Sequence, residues 1–127
     1  MTFKSEIDGY KTSTNTSYTR SELREMLRAG DTSIDTSGVN ENNWVFSSAP
    51  SAAQNAAGGV DGNMKATVAV NHVTSTGDSG QVGRVIIGQI HASSDEPVRL
   101  YYRLLPGHDK GSIYFAHEPG NGNAEQW

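Results

Sequence analysis

Gln89 and His91 stand two residues apart in the apolar run Val85-Ile86-Ile87-Gly88-Gln89-Ile90-His91-Ala92. An extended strand sends residues i and i+2 to one face, so an amide and an imidazole project together while Gly88 and Ile90 face the other way. A polar pair on an otherwise core-like strand needs a reason, and catalysis of proton removal next to a carboxylate would supply one. That chemistry needs donors or positive charge where the carboxylate gains electron density. It also needs a base within hydrogen-bond reach of the proton. Gln89 offers the donors, and His91 is the side-chain type that exchanges protons near neutrality. Arg20 and Arg24 carry guanidinium groups suited to a carboxylate.

Each of these residues also has a plainer reading. A single histidine at a strand end is usually structural or simply exposed. Thr19-Arg20-Ser21-Glu22 fits a helix capping box, and Leu23, Met26 and Leu27 have helical spacing. Local propensity therefore predicts a helix over 18–28, with Arg20, Glu22 and Arg24 on a solvated face laced by intrahelical pairs. The same residues also alternate as a strand, which would put those three on one side. Arg99, Tyr101 and Arg103 share one face of a strand and could bind an acidic sugar or form ordinary cross-strand pairs. Tyr102 belongs with Leu100 and Leu104 in a core, and His72, His108 and His117 read as structural. No metal motif is present: HExxH spacing is absent, and Asp61-Gly62-Asn63 is too short for a calcium loop. Neither a phosphate-cradling glycine loop nor a GxSxG elbow occurs.

The elements that must position these groups read as strands. Short runs begin at Trp44-Val45-Phe46 and continue at Lys65 to Val73, Val82 to Ala92, Val98 to Leu105 and Ser112 to His117. Gly-, Ser-, Asn- and Pro-rich loops separate them: 29–43, 51–63 with a turn at Gly58-Gly59, 74–80, 93–97 and 106–109. Strands so spaced, without helices between them, predict an all-β fold, an antiparallel β-sandwich or jelly roll. The 127 residues suffice for one domain, with a polar segment over 1–17. Cysteine is absent, which excludes disulfides and thiolate metal sites. A net charge of −4 argues against non-specific nucleic-acid binding but permits a local basic cleft. No apolar segment reaches membrane-spanning length, and the N-terminus lacks a signal-peptide core. The tail from Gly120 to Trp127 ends on a large aromatic after a Gly/Asn loop, like the opening of another strand.

Together, Arg20-Ser21-Glu22-Leu23-Arg24-Glu25, Gln89-Ile90-His91 and Leu100-Tyr101-Tyr102-Arg103 resemble motifs of the alginate lyases of the β-jelly-roll type, polysaccharide lyase families seven and eighteen. Asn42-Asn43-Trp44-Val45-Phe46 and the stretch from Lys110 to Glu118 are similar to marine bacterial members. The resemblance spans about Tyr18 to Trp127. It implies that the Arg20–Glu25 segment is a strand facing the cleft. It further implies that Arg20 and Gln89 neutralise a uronate carboxylate and that His91 acts as base or carboxylate-side donor. Glu22, Arg24, Arg99 and Arg103 would bind the polymer. No cofactor or metal is implied, the partner is an anionic polysaccharide, and the family is typically secreted. The family's C-terminal YxKxGxY-type strand, which supplies a tyrosine, has no counterpart here. The expectation is therefore an N-terminal part of the domain, incomplete at the C-terminus or completed by another chain.

Overall fold

A computed structural model describes residues 1–91, 96–119 and 123–127. Three strands, β3 (Arg84–Ile90), β4 (Val98–Arg103) and β5 (Ser112–His117), form an antiparallel sheet in that order. Each lies inside a run predicted as a strand. Ala92, the loop residues 93–95 and the glycine-rich tail residues 120–122 lie outside the described residues. A second pair, β1 (Trp44–Val45) and β2 (Gly59–Val60), is parallel, a departure from the antiparallel expectation. The fold class is all-β, as the sequence predicts.

The register of the sheet sorts its side chains onto two faces. Arg84 pairs with Arg103, Ile86 with Tyr101 and Gln89 with Arg99, while Val85 pairs with Tyr102, Gly88 with Leu100 and Ile90 with Val98. On the far side, Tyr101 pairs with Tyr114 and Arg99 with Ala116. Directly opposed residues share a face. One face therefore carries Arg84, Ile86, Gln89, Arg99, Tyr101, Arg103 and Tyr114. The other carries Val85, Ile90, Leu100, Tyr102, Ile113 and Phe115. Tyr102 and Leu100 share this apolar face, but with Leu104 they are only partly buried, and the tyrosine that is buried is Tyr101, a correction to the expected core.

A one-residue irregularity makes this sorting possible. Between Ile86 and Gly88 the register shifts, leaving Ile87 without a partner. Strict alternation would set Arg84 and Gln89, five positions apart, on opposite faces. The extra residue reverses the phase and brings them to one side. Entry into β3 is fixed by Gly83, whose φ of 73° is one that glycine adopts cheaply. A Cβ there would lie 1.9 Å from the Leu104 carbonyl oxygen. That close approach is used: the Leu104 N–H donates to the Gly83 carbonyl at 2.9 Å. Among the described residues, Val82, Tyr101 and Ala116 are the buried apolar ones.

Three expectations are corrected. The stretch from Ser51 to Asn63, read as loop, contains a helix, α1 (Ser51–Ala56). Ala52, Ala53 and Ala56 are strong helix formers, and the Gln54 amide donates to the carbonyls of Ser47 and Ala49, closing the preceding turn. Lys65 to Val73 forms no ladder. Its alternating residues are small, residues 61–69 are exposed, and a strand exists only through a partner's backbone groups. Residues 19–26 are neither helix nor ladder strand. The Thr19 hydroxyl that would cap a helix donates instead to the Glu6 carbonyl at 2.6 Å. The Arg20 N–H donates to the Tyr10 carbonyl at 3.0 Å, so the start of the segment is held by contacts from outside it.

Candidate active site

Gln89 lies on the polar face near the Ile90 end of β3, half-buried and directly opposite Arg99. The Arg99 guanidinium forms ion pairs with Glu118 and Glu125, three side chains that are each three-quarters or more shielded from water. Its Nε is buried with no hydrogen-bond partner. Arg103 donates from Nε to the Val82 carbonyl at 3.2 Å and from Nη2 to the Ser79 carbonyl. Both arginines thus fall on the predicted face, and both spend donors on the protein itself.

His91 follows the last residue of β3, and its Nε2 lies 3.4 Å from Glu96 Oε1 across the β3–β4 connection. Its side chain is 40% exposed, enough for a ligand to reach the ring.

Arg20, Glu22 and Arg24 come from the irregular segment. Arg20 Nε is buried without a hydrogen-bond partner, whereas Glu22 and Arg24 are exposed. Arg24 Nη2 donates to the Thr36 carbonyl at 3.0 Å. The far end of the segment is held by Asn42, only 1% exposed. Asn42 Oδ1 accepts the Arg28 N–H at 3.1 Å, and its carbonyl accepts the Leu27 N–H at 3.4 Å. The near end reaches the sheet through Tyr18, whose hydroxyl accepts from Gln81 Nε2 at 3.2 Å. Gln81 Oε1 in turn accepts from Arg84. This relay ties the Arg20 segment to the polar face.

Sequence reasoning missed Arg84, Tyr114 and Trp127. The Tyr101 and Tyr114 rings stack with centroids 5.2 Å apart and planes inclined by 10°. Trp127 packs against both, at 5.5 and 6.1 Å. The Arg84 guanidinium lies over Tyr101 at 5.1 Å and over Trp127 at 5.5 Å, within cation–π range. Burial pushes the Tyr101 phenol above its ordinary value, although the nearby Arg99 and Arg84 pull the other way. Tyr101 therefore stays neutral and capable of donating a proton or hydrogen bond. Only the bulge makes Arg84 legible, because simple alternation from Gln89 places it on the wrong side.

A cavity of about 280 Å³ lies elsewhere, lined by residues 71–75 and 104–108 and including His72 and His108. None of the predicted site residues lines it. Among the described residues, no three His, Cys, Asp or Glu side chains gather as a metal site would require.

A family model described as alginate lyase matches residues 1–127. A curated alginate lyase from Klebsiella pneumoniae is 69% identical over 128 residues, covering 100% of this chain and 42% of that protein. The crystal structure of the alginate lyase from Klebsiella pneumoniae superposes with a TM-score of 0.90 at 70% identity. It covers 95% of this chain and 43% of that one. The chain thus spans about two fifths of the length of the relatives it matches.

Proposed function

Because the chain belongs to the alginate lyase family, we propose that its polar sheet face is part of a cleft in which alginate is cleaved by β-elimination. The observation that carries the reading is the register that puts Gln89 among basic and aromatic side chains on one face. In the proposed reaction the uronate carboxylate is met by the Gln89 amide and the Arg20 guanidinium, which stabilise charge as it develops. His91 accepts the proton from the carbon next to the carboxylate. The electron pair left behind forms a double bond to the adjacent carbon, and the 4-O-glycosidic bond breaks with its electrons on the leaving oxygen, which takes up a proton from water. The new chain end is an unsaturated uronate. Arg24, exposed and basic, attracts the polymer, and Glu22 borders the same segment. Arg99 and Arg103 support the cleft, since their donors are already engaged by Glu118, Glu125 and backbone carbonyls.

The test is ultraviolet absorbance of unsaturated uronate after incubation with polyguluronate and polymannuronate separately. A rise on either polymer supports elimination and gives the preference. No rise together with retained polymer binding replaces the lyase reading by a polyuronate-binding one. No rise and no binding removes both.

A further inference from the structure

We propose that Glu96 is a positioning residue for His91: its carboxylate takes the hydrogen of Nε2, orients the ring and leaves the accepting lone pair on Nδ1. The inference rests on reading His91 as the base of the elimination. His91 Nε2 and Glu96 Oε1 stand 3.4 Å apart, and both side chains are more than half shielded from water. Their attraction is therefore less damped than at an open surface. The placement of Glu96 is set by the backbone around it. Pro97 restricts the residue before it to an extended conformation. The Pro97 carbonyl accepts the Glu118 N–H at 3.2 Å, and Val98, next in the chain, pairs with Ile90, the residue before His91. One ladder pair thus holds both ends of the contact.

A neutral imidazole carries one hydrogen and one lone pair, and the partner of the hydrogen decides which nitrogen accepts. A carboxylate only accepts, so Glu96 selects the form with hydrogen on Nε2. When Nδ1 takes the proton from the sugar carbon, both ring nitrogens carry hydrogen and the ring becomes a cation. Glu96 then faces a positive charge, and the contact tightens from 3.4 Å as that charge develops. The abstracted proton stays on the ring until solvent removes it, and the carboxylate is not protonated. The acids at this end of the sheet divide between two cations. Glu118 and Glu125 answer the permanent charge of Arg99, and Glu96 answers the transient charge of His91.

Two measurements on the unmutated protein, Glu96→Ala and Glu96→Gln test this role. Long-range proton–nitrogen correlation spectra of the neutral ring, with His91 assigned by its loss in His91→Gln, read the tautomer. Hydrogen on Nε2 alone is required in the unmutated protein, and the mixture of free histidine in Glu96→Ala. Glu96→Gln, whose amide oxygen still accepts, should keep the Nε2 form. Steady-state rates on polyguluronate supply the second readout. Glu96→Ala should lower kcat by about tenfold or more at little-changed KM, a share of the about two to four orders of magnitude that a base contributes. Glu96→Gln should recover part of that loss. Should Glu96→Ala fail to fold, the isosteric Glu96→Gln decides, since it keeps the tautomer but must still lower kcat. Hydrogen on Nδ1, or the free-histidine mixture, in the unmutated protein would overturn the role of Glu96. An unchanged kcat in the variants would overturn it too, with elimination left standing. No turnover by the unmutated protein would overturn the base reading and the positioning role together.

Discussion

Gln89 and Arg99 oppose each other across the β3–β4 ladder, and the Arg99 guanidinium is turned to the carboxylates of Glu118 and Glu125. Glu118 follows β5 directly and Glu125 lies beyond it, so one cation holds the end of the sheet closed beside Gln89. The isolated bridge between His117 and Gln126 runs alongside and fixes the same return of the chain.

Replacing that cation should unfasten this end of the sheet. Arg99→Met leaves two mostly shielded carboxylates facing each other, and like charges without a counter-ion repel. The residual exposure of 17–25% tempers the effect, and we expect a loss of about 1–3 kcal/mol. Urea unfolding should show a lower midpoint at unchanged slope. Adding Glu118→Gln should recover part of the loss. An unmoved midpoint would mean that the ion pairs contribute nothing net.

The bulge at Ile87 allows a deletion that ordinarily would not be tolerated. Removing one residue from a regular strand turns all that follows to the wrong face. Removing Ile87 instead restores plain alternation and still leaves Ile86 opposite Tyr101, Gly88 opposite Leu100 and Gln89 opposite Arg99. The deletion protein should fold, keep a near-ultraviolet circular dichroism signal from the stacked rings, and retain polyuronate binding. Deleting Ile86 and Ile87 together leaves Tyr101 without a partner in phase and should abolish that signal. Equal behaviour of the two deletions would show that the register is not set by this bulge.

Tyr101 gives the molecule an alkaline limit. Its phenol is raised above the ordinary value of 10.0 because burial disfavours the phenolate. Above pH 10 the unfolded chain has released this proton while the folded chain still holds it. The folded state then binds more protons, and stability falls with rising pH. The loss begins near pH 10 and continues until the raised folded value is passed; below pH 10 the contribution is constant. Tyr101→Phe should flatten that part of the curve in thermal unfolding measured across pH 9–12. A variant with the same alkaline slope as the parent would locate the effect in another tyrosine.

Much of this was legible because periodicity of two is a strong local signal. Ser112–His117 is read directly, and the shared face of Arg99, Tyr101 and Arg103 needs only alternation. What local pattern could not supply was the phase change at Ile87, since Ile86-Ile87 reads as continuous strand. It also could not supply the competition for the Thr19 hydroxyl, which the Glu6 carbonyl wins over the helix cap. The parallel pairing of Trp44 with Gly59 depends on a chain reversal through α1 that only the alanine-rich stretch hints at. The pairing partners of Arg99 were hidden because Glu118 and Glu125 lie 19 and 26 residues away.

The role assigned to His91 predicts a separation of turnover from binding. A base acts on the proton only in the transition state, so its loss should lower turnover while binding of the polymer persists. In the catalytically active protein, His91→Ala should reduce the rate on guluronate blocks by about two to four orders of magnitude. Polymer affinity should change little, because the ring contributes one exposed contact beside Glu96. Arg20→Ala should also slow turnover, since its guanidinium has a buried Nε without a protein partner and is assigned to the carboxylate. Steady-state rates and equilibrium binding, measured on the same preparations, distinguish the two. An unchanged rate in His91→Ala would remove its role as base. An unchanged rate in Arg20→Ala would return residues 19–26 to plain surface, leaving Gln89 to meet the carboxylate without that partner.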